Sequence, residues 1–229
     1  MKICHRCSAL LKSQFFLCSD VSLVARAGAM ESVVNQIRTM HNATHVDVNR
    51  LIWKIVDVAE EMLIDRGCVS VTKPQTEEEL DRHIRDFTPV LVGSGATSIR
   101  VMFHSEERVA VKVVRQLVEN DGFDRTIILS VEGPTSFSKK EAAQCLPTLQ
   151  FFKYKDLSVN ITKHSCVPKH SKVSDPKALS TIDVQLCPKM LQSDVISAWY
   201  DFVPGDVVSV RRRFGTTDVA PYYRLVIAG

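Results

Sequence analysis

Leu51, Ile52, Ile55, Val56, Ala59, Met62 and Leu63 recur at steps of three and four residues, and no other feature constrains this chain as tightly. Lys54, Asp57, Glu60 and Glu61 fill the rest of the wheel, so Asn49 to Arg66 predicts an amphipathic helix that must bury one face. Asp47 or Asn49 can cap its start, and Arg66-Gly67 supplies a basic last turn followed by a left-handed glycine. Alternation follows. Thr76-Glu77-Glu78-Glu79 has capping-box spacing and opens an acidic, solvated helix toward Arg85. Val92-Gly93-Ser94-Gly95 reads as a flexible loop. Ile99 to Phe103 reads as a strand, Val109 to Glu119 as a Val-rich helix, and Thr126 to Val131 as a buried strand. Ser138-Lys139-Lys140-Glu141 is a second capping box, opening a helix that Pro147 stops, and Leu149 to Tyr154 is a further strand. Strands and helices in this order imply an α/β sandwich of about a hundred residues.

From Asp156 the texture changes to short strands and turns punctuated by Pro168, Pro176, Pro188, Pro204 and Pro221. Val207 to Val210 and Tyr222 to Ile227 are the clearest strands there, with Pro204-Gly205-Asp206 as the turn before the first. The expected organisation is α+β: an extension over 1–44 that is disordered or loosely docked, an α/β domain over 45–154, and a small mixed α+β domain over 155–229. Met30 is an alternative functional start, because periodicity begins only after it.

Composition narrows function more than fold. With 29 basic and 26 acidic residues the net charge is only +3, too balanced to argue nucleic-acid binding by itself, so any DNA contact must be local. Seven cysteines, an odd number without the spacing of a stapled secreted module, fit a reducing compartment. No stretch reaches the ~18 apolar residues of a membrane span.

Chemistry-bearing patterns are incomplete. Cys4-x-x-Cys7, with His5 and Cys18 near, supplies half a zinc site and no second half. His164, Cys166 and His170 fall within seven residues, but Pro168 breaks the helix that would align them, so structural histidines are expected. There is no phosphate loop, His-Glu-x-x-His or nucleophile elbow. The sequence therefore predicts no catalysis, cofactor, metal or small-molecule substrate. Arg211-Arg212-Arg213 is the densest basic run; on a strand, Arg211 and Arg213 share one side and Arg212 takes the other.

One resemblance absorbs the C-terminal third. Val159-Asn160-Ile161-Thr162-Lys163-His164-Ser165-Cys166-Val167-Pro168-Lys169-His170, then Gly205-Asp206-Val207-Val208 and Tyr223-Arg224-Leu225-Val226, resembles the shared subunit of eukaryotic RNA polymerases I, II and III. The C-terminal domain of that family is similar to a small subunit of archaeal RNA polymerase. Asn49-Arg50-Leu51 through Asp65-Arg66-Gly67 resembles, more loosely, the opening helix of the family's N-terminal jaw domain. The resemblance implies a non-catalytic subunit of a nuclear polymerase, with a jaw, a linker near Tyr154 and a C-terminal assembly domain. Its implied partners are the largest subunit, neighbouring small subunits and, through the jaw, downstream DNA.

It also implies which residues do the work. Asn160, His164, Val167, Pro168, Lys169 and His170, with Gly205, Asp206, Arg211, Arg213, Tyr223 and Arg224, are the candidate subunit interface, for which strand addition is a natural mode. Pro134, Thr135, Lys139 and Lys140 are the candidate DNA-proximal group. Departures from the family pattern at Ser174-Asp175-Pro176-Lys177-Ala178-Leu179, Gln185-Leu186-Cys187-Pro188, Ser193-Asp194-Val195 and Arg213 to Thr217 point to a divergent member or a paralogue dedicated to one polymerase class, nucleolar if that class is I. The competing expectations are a stand-alone nucleic-acid-binding factor and a polymerase-associated adaptor.

Overall fold

The computed structural model describes residue 35 and residues 45–119, 122–144, 149–214 and 218–228. The Cys4-His5-Cys7 cluster, Met30, Pro147 and residues 215–217 lie outside them.

Helix α1 (His45–Asp65) starts upstream of the periodic segment, so Asp47 and Asn49 sit inside it rather than capping it. Ile52, Ile55, Val56, Ala59, Met62 and Leu63 are buried along one face. The C-terminal signal was legible: Gly67 has φ +89°, and its N–H and that of Arg66 close the last turn on Ile64 O and Met62 O. β1 (Cys68–Thr72) follows, then α2 (Glu77–Arg85), whose Glu79 N–H donates to Thr76 Oγ1 at 3.2 Å while the Glu79 carboxylate reaches back to Gln75 N.

The remaining N-terminal elements are β2 (Leu91–Gly95), β3 (Ile99–Phe103), β4 (Arg108–Val109), α3 (Val111–Glu119), β5 (Arg125–Ser130), β6 (Gly133–Pro134), α4 (Ser136–Gln144) and β7 (Leu149–Lys153). The segment expected as a flexible loop is thus strand β2, antiparallel to both β1 and β3. Its glycines answer to crowding: a Cβ at Gly93 would lie 2.6 Å from Cys68 Sγ. The second capping box is also corrected. Thr135, not Ser138, caps α4, and Ser138 is buried in the helix with its hydroxyl donating to Val109 O at 2.6 Å.

Five strands form one sheet in the order β1-β2-β3-β5-β7, antiparallel at the β1 end and parallel from β3 onward. Alternation sorts its side chains. Ile99, Val101, Phe103, Ile127, Leu129 and Phe152 face α1 and α2, whereas Met102, Ile128 and Leu149 pack with Val114 and Leu117 of α3 and Ala142 of α4. Helices on both faces make this half the expected α/β sandwich. The expected linker is part of it: Tyr154 and Leu157 are buried in a 3-10 turn, and Tyr154 Oη donates to His104 O at 2.8 Å.

The C-terminal elements are β8 (Lys169–Lys172), α5 (Pro176–Thr181), β9 (Lys189–Leu191), α6 (Val195–Trp199), β10 (Val207–Phe214) and β11 (Asp218–Ile227), with a sheet order of β8-β10-β11-β9. Together the chain is α+β. Asp175 and Asp194 cap the two short helices, accepting from Lys177 N and Ile196 N.

The two sheets are joined by buried side chains. Trp199 is 1% exposed within the core of the first half, and its Nε1 donates to Asp65 Oδ2 at 2.9 Å. Arg66 donates to the last carbonyls of α6, Ala198 O at 2.7 Å and Trp199 O at 2.8 Å. Burial pushes the Arg66 guanidinium down to about 10, against the pull of the Asp201 carboxylate. Asp201, at the left-handed φ of 55°, accepts from Arg125 Nε at 2.8 Å and from Gln150 Nε2.

Candidate docking surface

The signature segment enters the second sheet in two steps. Asn160 is buried and turned inward: its Oδ1 caps a 3-10 turn (Ile161–Lys163) by accepting Thr162 N at 2.9 Å, and its Nδ2 donates to Glu61 Oε2 of α1 at 2.6 Å. Lys163 pairs with the other oxygen of Glu61 at 2.6 Å. The Asn160 hydrogen bond, followed by that from Lys163, holds the Glu61 carboxyl below the usual carboxylate range. Asn160 therefore fastens the segment to α1, whereas His164 is exposed, with Nδ1 accepting from Cys166 N at 3.2 Å.

Val167 and Pro168 are half-buried and deliver the chain into β8, an edge strand carrying Lys169 and His170. His170 Nδ1 donates to Pro168 O at 2.7 Å, which fixes the ring beside the strand's entry. Gly205 and Asp206 form the expected turn: Asp206 N donates to Val203 O at 3.0 Å, and the Asp206 carboxylate accepts from Val203 N and pairs with Lys172.

Register then divides the remaining candidates. Val210 lies opposite His170 and Tyr222, and Val208 opposite Lys172 and Arg224, on the side packed by Phe202 and Val226. Lys169 and Arg211 are partners in the other row, which also holds Ser171, Ser209 and Tyr223. Lys169, Ser171 and Arg211 are exposed. Tyr223 and Arg224 thus face opposite ways. Arg224 lies over the Tyr222 ring at 5.8 Å, and its Nε is buried with no acceptor among the described residues. The side chains of Arg212 and Arg213 fall outside the described residues.

Strand addition along Tyr222 to Ile227 meets an obstacle. β11 is an inner strand, with β10 on one side and β9 covering Leu225–Ile227 on the other. Among the described residues β8 has a strand partner, β10, on one side only. The sequence did not mark the residues joining the halves, because Asp65, Arg66, Arg125, Gln150 and Asp201 occupy scattered positions with no shared spacing.

The DNA-proximal candidates follow one another from β6 into the first turns of α4. Pro134 belongs to β6, Thr135 caps α4, and Lys139 and Lys140 are exposed on α4, one turn further in than the capping-box spacing implied. Among the described residues no group of three or more His, Cys, Asp or Glu is placed to hold a metal ion, and no helix is long and apolar enough to cross a membrane.

Comparison with known proteins agrees with the C-terminal reading. Residues 159–226 match the family described as RNA polymerase Rpb5, C-terminal domain. The chain is 25% identical to the RPABC1 subunit of DNA-directed RNA polymerases I, II and III of Caenorhabditis briggsae, over 77% of this chain and 95% of that protein. It is 27% identical to the corresponding subunit of Dictyostelium discoideum, over 79% of this chain and 99% of the relative. Subunit 5A of DNA-directed RNA polymerase V from Arabidopsis thaliana is 25% identical, over 72% and 83% respectively.

Proposed function

We propose that this chain, a divergent relative of those polymerase subunits, is a non-catalytic structural subunit of a nuclear DNA-directed RNA polymerase. Residues 155–229 act as the assembly domain and dock on the largest subunit beside neighbouring small subunits. Residues 45–154 form part of the jaw, with Pro134, Thr135, Lys139 and Lys140 nearest downstream DNA. One observation carries the reading: the segment that matches the Rpb5 C-terminal domain also bears edge strand β8, which Pro168 leads into and beside which Lys169, Ser171 and Arg211 are exposed. A row of Lys169, Arg211 and Tyr223 beside a strand edge that is unpaired among the described residues offers backbone pairing for affinity and side chains for specificity.

Relatives named both for three polymerases and for polymerase V support a paralogue serving one class. The altered loops are consistent with it, since Leu186 is 80% exposed and α5 has six residues. Quantitative mass spectrometry of a native pull-down tests the proposal. Stoichiometric recovery with the largest subunit is expected. Recovery as a monomer that binds DNA alone supports the stand-alone factor instead, and substoichiometric recovery supports an adaptor.

A further inference from the structure

We infer that the outer edge of β7 is a second docking site, which takes an extended acidic segment of a partner protein as a sixth strand of the N-terminal sheet. The inference does not depend on polymerase membership. All five residues from Leu149 to Lys153 line one groove of about 580 Å³. Successive side chains of a strand point to opposite faces, so a groove touching five in a row runs along the strand's edge. The core assignments agree: Leu149 packs toward α3 and α4, and Phe152 toward α1. β7 ends the sheet order, with β5 as its strand partner among the described residues. Such an edge offers a row of backbone donors and acceptors as a template, apart from the Lys153 N–H, which donates to Asp156 Oδ2.

The far wall of the groove includes Ala198 and Phe202, from the second half. A segment of about five residues, ~17 Å long when extended, matches the length of β7. Its chemistry follows from the lining. Among the described residues the charged groups there are Lys139 and Lys153, and no carboxylate lines the groove. Glu132, in the adjoining hollow, is already paired with Arg108. Gln150 adds an unmet acceptor: its amide nitrogen is committed to Asp201, and its Oε1 is buried without a donor. An entering backbone N–H can supply one. Apolar residues alternating with Asp or Glu therefore fit both the Phe and Leu side chains and the two ammonium groups.

The test uses the full chain with a synthetic peptide of alternating Glu and Val, the matched Lys and Val peptide, a version of the acidic peptide N-methylated at alternate residues, and a short DNA duplex. Anisotropy reads affinity and hydrogen exchange reads protection at Leu149–Lys153. The acidic peptide is expected to bind and slow exchange there. Lys139→Glu with Lys153→Glu, at an unchanged melting temperature, should weaken it by about tenfold or more and admit the Lys peptide. N-methylation, which removes the pairing donors and keeps the charge, should abolish protection. Absence of protection by the acidic peptide, indifference to the charge reversal, equal binding of the methylated peptide, or stronger protection of the same amides by DNA would each overturn the inference.

Discussion

The five-stranded sheet is buried on both faces along β3 and β5, whereas the four-stranded sheet keeps Lys169, Ser171 and Arg211 exposed on one face, and that difference decides how each can meet a partner. All of β3 and nearly all of β5 are buried between α1 and the α3–α4 pair. In the second sheet Val208 and Val210 point into the core, while Lys169, Ser171 and Arg211 remain in water on the opposite row. A sheet sandwiched between helices has only its edges and loops to offer. A sheet with one solvated face can dock broadly, and mutations on that face should affect assembly without affecting folding.

The largest effects are expected at the joint, where Trp199 of the second half lies in the core of the first. Trp199→Ala should cost about 3–5 kcal/mol, the usual range for emptying a buried indole site. It should destabilise both halves in a single transition during denaturant unfolding followed by probes in each sheet. Two separated transitions in the wild type would mean that the joint does not couple them. Arg66→Ala, which leaves the Ala198 and Trp199 carbonyls of α6 without these donors, should cost about 1–3 kcal/mol in the same assay.

pH sharpens the picture at the Asn160 anchor. Because the Glu61 carboxyl is held below its unfolded value of about 4.3, its contribution is present above that pH and is lost as pH falls through the lower folded value. Glu61→Gln should therefore show a smaller loss of stability between neutral pH and the acid side of the carboxylate range than the wild type, measured by melting at several pH values. The smallest effect on folding is expected on the outer row: Lys169→Glu with Arg211→Glu should change stability by no more than about 0.5 kcal/mol.

The two halves were legible in different ways. Period and caps revealed α1, α2, β3, β5 and β7, since each has enough residues for alternation or a helical face to emerge. Strand β2 was hidden by its glycines, which are there because β1 runs too close for a Cβ, not because the chain bends. The start of α4 was misplaced because Thr135 and Ser138 are both competent caps three residues apart, and burial against Val109 decided between them. In the second half short strands carry little periodicity, and the ordered Asn160 to His170 run did the work. That run could not reveal that Asn160 faces α1 or that Tyr223 and Arg224 part to opposite faces. Both depend on sheet register and on partners about a hundred residues away in sequence for Asn160.

If the exposed row of Lys169, Ser171 and Arg211 holds the chain in a polymerase, retention on the purified enzyme reads it most directly. The ratio of this chain to the largest subunit, by quantitative mass spectrometry after a salt wash, should fall steeply for Lys169→Glu with Arg211→Glu. It should stay at the wild-type value for Lys139→Glu with Lys140→Glu on α4. Retention of the first variant at the wild-type ratio, or loss of the second alone, would contradict the account.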